Sequence, residues 1–188
     1  MPFSEPPYLA QGTATAYTLG ELLRQRIWTA VQGTLFRFSL PRAHAFRARL
    51  LRLFGANIPL PDQVVVFASV RVFFPWKLTL EPRSMLGRHV NVYNLGPVIL
   101  RRGANVSQHV HLCSGSHDFT RWSMPLVTQP IEIGANAWIA ADCFVGPGVS
   151  IGELAVVGAR SVVMRDQPAR MVCAGHPCRP MHPRPEPI

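Results

Sequence analysis

One short segment carries the residue types of proton-transfer chemistry: Gly115-Ser116-His117-Asp118. An unperturbed imidazole titrates near neutral pH, so His117 suits a general base that takes a proton from a weakly nucleophilic hydroxyl. Asp118, its chain neighbour, either orients the imidazole or positions the loop, and Ser116 with nearby backbone N–H groups offers donors to substrate or oxyanion. Other chemistries start from the same neighbourhood. Cys113, four residues before His117, fits a thiol nucleophile beside a base, although it adjoins an inward position at Leu112. His109 and His111 alternate with Val110 and Leu112. If the apolar pair points inward, both imidazoles share an outer strand face, as surface or interface groups, substrate contacts, or metal ligands together with His117. Phe119 and Trp122 flank the segment and suit either stacking on a substrate ring or packing the loop.

A repeat must position these groups. From Ile133 the chain reads in sixes: IGANAW, IAADCF, VGPGVS, IGELAV, VGARSV. Aliphatic residues open the blocks at Ile133, Ile139, Val145, Ile151, Val157 and Val163. Glycine follows in every full block but one, where Ala140 stands. A small or β-branched residue lies two places before each opener, at Ala137, Cys143, Val149, Ala155 and Ser161. A period of six is neither helical nor simple strand alternation. It marks a unit of one short strand plus a corner, three of which close a triangular coil of 18 residues. Stacked coils bury one apolar column, and the glycine is expected to ease the corner by accepting positive φ. Upstream, Leu80, Leu86, Val92 and Val98 keep step, then Leu100, Val106 and Leu112 in a frame shifted by two. The shift falls at Asn94-Leu95-Gly96-Pro97, read as a two-residue bulge at a corner. Between Leu112 and Ile133 the pattern lapses. Allowing one coil leaves a small surplus, so part of 113–130 should loop out, where chemistry on rigid scaffolds tends to sit.

Residues 1–57 read as a helical arm. Leu19, Leu22, Leu23, Ile27, Val31 and Leu35 recur at helical spacing until Pro41, and Ala45, Phe46, Arg49, Leu50, Leu53 and Phe54 form a second amphipathic helix ending near Gly55. The arm either caps the open end of the solenoid or, with Trp28, Phe36 and Phe38 among arginines, lies on an anionic membrane surface through residues 19–54. The solenoid should occupy 58–176, and 177–188 is a Pro-rich tail, extended or partly disordered. The net charge of +9 sits at the two ends around a nearly neutral middle. That distribution argues against a nucleic-acid coat and for a phosphorylated ligand or an anionic surface. Cys113, Cys143, Cys173 and Cys178 show no disulfide spacing. With no apolar run long enough to span a bilayer and no leader-like N-terminus, a cytoplasmic protein is expected, either free or peripheral to the inner membrane face.

The hexapeptide array, CSGSHDF and the ending SVVMRDQPARMVCAGHPCRP together resemble the hexapeptide-repeat acyltransferases, most closely the colanic acid biosynthesis acetyltransferases and the related maltose and galactoside enzymes. The resemblance implies a mainly β fold, a left-handed parallel β-helix. It implies a homotrimer with acetyl-CoA in the groove between prisms and direct acetyl transfer to a sugar or saccharide hydroxyl, with no acyl-enzyme and no metal. His117 matches the family's loop histidine, and Trp138, Ala140 and Ala141 match the lining of the pantetheine channel. Ala159 and Arg160 stack one coil above, and Arg165 and Arg179 match basic positions near the CoA phosphates. Ser116, His109 and Trp122 are the candidate acceptor contacts. Ala140 replaces a family glycine, and His176 a family asparagine. Two other functions compete: a zinc hydratase of the β-helix carbonic anhydrase type, with His109, His111 or His117 as ligands, and a non-catalytic trimeric scaffold.

Overall fold

The structure, a computed structural model, describes residues 17–185. The N-terminal segment read as lacking a leader lies outside the described residues. Hexad openers stack coil upon coil on three parallel faces. On the first face Val66, Leu86, Val106, Ile139 and Val157 are in register. The second face stacks Val72, Val92, Leu112, Val145 and Val163, and the third Leu80, Leu100, Ile133 and Ile151. All these side chains are buried and form the apolar column.

The solenoid lies within the expected 58–176, and its first coil holds Val66 and Val72 as well as Leu80, where the repeat becomes readable. Its first two coils carry their extra residues at the same place, the second corner, between second and third faces: Val72 to Leu80 and Val92 to Leu100. Next, Leu112 and Ile133 lie on adjacent faces of one coil, not in successive coils. Most of 114–130 is therefore insertion, far more than a small surplus. Finally, the glycine after each opener does not supply positive φ. That conformation falls two residues later, at His89, His109, Asn136, Asp142, Leu154 and Arg160. The glycine is needed for close approach: a Cβ at Gly134 would meet the backbone of Ile151, Gly152 and Glu153 in the next coil.

The arm closes the lower end. Helix α1, Leu19–Val31, starts at a capping box between Thr18 and Glu21 and runs into a π turn, Gln32–Phe36. Helix α2 is His44–Leu53. Trp28 and Phe36, which the membrane alternative would place outside, are fully buried, as a cap on the coil requires, and the Trp28 indole donates to the Val72 carbonyl at 2.7 Å. Their place on the arm's surface is taken by Leu19, Leu23, Ile27, Leu35, Phe38, Leu40 and Leu53, all at least half exposed. The buried Arg47 guanidinium ties α2 to the first coil by donating to the carbonyls of Val66, Leu40 and Pro41. At the upper end, Met171–Gly175 joins the first face and Cys178–Pro183 pairs antiparallel with it. Within the Pro-rich tail, Cys178–Pro183 is an ordered edge strand, with Gly175-His176-Pro177 forming its turn.

Candidate active site

The insertion leaves the prism at the second corner as a hairpin. Gly115–His117 pairs antiparallel with Leu126–Thr128, placing His117 opposite Leu126. Its base is pinned to the coil below. Buried Ser114 accepts from the Gly96 N–H at 2.8 Å and donates to the Gly96 carbonyl at 2.9 Å. Gly115 packs so closely on Leu95 that a Cβ there would collide with its side chain. The corner beneath is itself held by buried Asn94, whose amide bonds both the N–H and the carbonyl of Phe74. The hairpin therefore rises from a rigid foot. The serine in Cys113-Ser114-Gly115 that anchors it escaped the sequence reading because its role depends on a contact with the preceding coil.

His117 is exposed near the hairpin end. Its Nδ1 lies 2.6 Å from the Met124 carbonyl oxygen. A carbonyl only accepts, so Nδ1 carries the proton and Nε2 of the neutral ring keeps a free lone pair. Asp118 does not supply this orientation. Its Oδ1 accepts from the N–H and the hydroxyl of Thr120, which hold its carboxyl below the usual range, and its own N–H donates to the Pro125 carbonyl. Asp118 thus shapes the turn that carries Met124 to His117. Ser116 and Trp122 are exposed on the same hairpin. The Cys113 thiol donates to the Gly115 carbonyl.

The histidine pair behaves differently from its alternating pattern. His109 occupies a first corner, between first and second faces, with φ of 59°, and its ring stacks on His89 of the coil below at 4.9 Å. His111 lies on the second face against Tyr93 and Phe144, where burial pushes its pKa down. The positive φ at His109 breaks strand alternation, so the two rings have separate surroundings. Among the described residues no group of three His, Cys, Asp or Glu is placed to hold a metal.

A second set of predicted residues lies across the second face from the hairpin. Trp138 sits half exposed on the first face, its indole donating to the Ser107 hydroxyl at 2.9 Å. Ala140 and Ala141 follow at the first corner. Ala159 and Arg160 lie above them, with the Arg160 N–H donating to the Ala141 carbonyl. Their small side chains leave room for a narrow extended ligand along this edge, and Arg160 suits an anionic end. Arg179 is on the C-terminal strand beside the first face, whereas Arg165 is at the second corner, on the hairpin's side. In one chain the predicted residues therefore form two groups at opposite edges of the second face.

Comparison with known proteins gives concordant likenesses. A family model, bacterial transferase hexapeptide (six repeats), matches residues 130–165. The chain is 44% identical over 158 residues to the "Putative colanic acid biosynthesis acetyltransferase WcaF" of Escherichia coli, covering 84% of this chain and 86% of the relative. A galactoside O-acetyltransferase of Escherichia coli is 43% identical over 63 residues, 34% of this chain and 31% of that protein. Among solved structures, a maltose O-acetyltransferase from Clostridium difficile superposes with a TM-score of 0.79 at 22% identity, covering 96% of both chains. A hexapeptide-repeat acetyltransferase from Vibrio cholerae, complexed with acetyl coenzyme A, gives 0.78 at 21% identity, covering 92% of this chain and 93% of that one.

Proposed function

The chain belongs to the hexapeptide-repeat acetyltransferases, and from that premise we propose that it moves acetyl from acetyl-CoA directly to a hydroxyl of a sugar or saccharide intermediate of surface polysaccharide synthesis. The observation that carries the reading is the His117 ring, held by the Met124 carbonyl so that Nε2 is the free acceptor. The acceptor hydroxyl gives its proton to Nε2 as its oxygen attacks the thioester carbonyl. The tetrahedral intermediate expels the CoA thiolate, and the protonated imidazole supplies the thiol proton. Ser116 and neighbouring N–H groups offer donors to the oxyanion.

The placement of the site residues in two groups supports a site assembled between chains. The first-corner edge, with Trp138, Ala140, Ala141, Ala159 and Arg160, takes the pantetheine arm. The hairpin at the opposite edge of a neighbouring chain brings His117 to the thioester, with Arg165 and Arg179 toward the CoA phosphates. Three prisms related by a threefold axis give each chain one such groove. The exposed aliphatic and arginine residues of the arm suit peripheral contact with an anionic membrane, and no described helix is long and apolar enough to cross one.

Acetyl transfer to a saccharide panel, followed by mass spectrometry, tests this function. The wild-type protein adds one acetyl to a matching acceptor only with acetyl-CoA present. His117→Ala lowers kcat by about 10²–10⁴-fold, the usual range for a general base, with the Kd for acetyl-CoA unchanged. An unaltered kcat removes His117 from the mechanism.

A further inference from the structure

A cleft of about 370 Å³ lies between the helical arm and the first two coils, away from the hairpin. Arg37, Gln32 and Gly33 line it from the arm, and Ser69, Arg71 and His89 from the solenoid. Gln32, Thr29 and Arg71 also line a neighbouring cleft of about 240 Å³, so the two spaces adjoin. No carboxylate lines either one, and among the described residues neither Arg37 nor Arg71 has an acidic partner. Gln32 accepts from the Val72 N–H through Oε1, which leaves its Nε2 as a donor. The arm-side wall includes the π turn Gln32–Phe36, and Gly33 meets nothing where a Cβ would stand. Two arginines, a histidine and a glutamine with a donor to spare line space without a carboxylate, the chemistry of an anion site.

The cleft also lies on the ridge whose upper part is proposed to take the pantetheine arm. Ser69, His89, His109, Asp142 and Arg160 occupy equivalent places at the first corners of successive coils. Adjacent strands are separated by about 4.8 Å, so His89 lies about 10 Å, two coils, below the Ala140–Asp142 corner. The stacked rings of His89 and His109 cover part of that interval.

We propose that this cleft binds the phosphate or diphosphate of a phosphorylated sugar acceptor, with the sugar ring running along the His89–His109 pair toward the acetyl group. The inference rests on the proposed acetyltransferase reading and names its substrate class. Diphosphate attached to a polyprenyl lipid or to a nucleoside presents the same group.

Binding of inorganic pyrophosphate to the full-length protein, followed by calorimetry, tests the cleft without turnover. Arg71→Gln and Arg37→Gln should each weaken it by about tenfold, the scale of a lost charge-assisted hydrogen bond, with acetyl-CoA binding and thermal stability unchanged. Pyrophosphate affinity unaffected by either substitution overturns the proposal. In turnover, a sugar diphosphate should show a lower KM than the free sugar, and Arg71→Gln should erase that difference with kcat preserved. A polyprenyl-linked diphosphate sugar in neutral vesicles and a nucleoside diphosphate sugar identify the source, and preference for either supports the site. Equal KM for free and phosphorylated sugars overturns it. Arginine-dependent pyrophosphate binding without acetylation of any sugar leaves the anion site standing and removes the acetyltransferase reading instead.

Discussion

At the residue scale, the imidazoles at 117 and 111 show how environment divides one side-chain type between tasks. His117 is exposed, with one ring nitrogen occupied by a carbonyl and the other open. His111 is half buried among Asn91, Tyr93 and Phe144, and burial depresses its pKa. The folded protein thus favours neutral His111, while the unfolded chain protonates near the ordinary value of about 6.5. The associated stability is present above that value and is lost as pH falls from it through the lower folded pKa. Thermal unfolding should therefore show a smaller loss of Tm between pH 7.5 and 5.5 for His111→Asn than for wild type; equal losses would show that another group carries the acid sensitivity. His117 was recognisable because it interrupts a repeat and lies in Gly115-Ser116-His117-Asp118. Its partner was not: the Met124 carbonyl is a backbone group brought close by a hairpin, and no residue type announces that. The adjacent Asp118 was the natural sequence candidate for orienting the ring, but Thr120 occupies its carboxylate.

At the element scale, the hairpin foot controls where the base stands. Ser114 exchanges two hydrogen bonds with Gly96, one coil below. Ser114→Ala should destabilise the protein by about 1–3 kcal/mol, the cost of leaving buried backbone groups unpaired. It should also lower kcat with the Kd for acetyl-CoA unchanged, as stopped-assay kinetics and denaturant unfolding would measure. A full loss of stability with unaltered kcat would separate the foot from the site. The strands were legible because the six-residue period names their inward side chains. The first two strands of the earliest coil were not, because Val66 and Val72 lie in a run of Val and Phe where many frames fit. The glycine rule was legible as a pattern, but its cause, backbone approach between coils, required the stacking itself.

At the scale of the whole molecule, the solenoid keeps the base and the proposed thioester groove at opposite edges of one face. The arm adds a separate cationic cleft at the lower end. Sequence similarity implied a trimer, but which corners meet depends on where each insertion and each small residue falls around the prism. In the proposed assembly, catalysis is therefore a property of two neighbouring chains. The direct measurement is acetyl transfer by co-assembled His117→Ala and Ala159→Trp variants, one lacking the base and the other obstructing the groove. Each alone should be inactive. Random co-assembly should restore roughly a quarter of the wild-type rate through the grooves formed by one intact edge of each kind. If the mixed trimers remain as inactive as their parents, base and groove belong to the same chain and the account is contradicted.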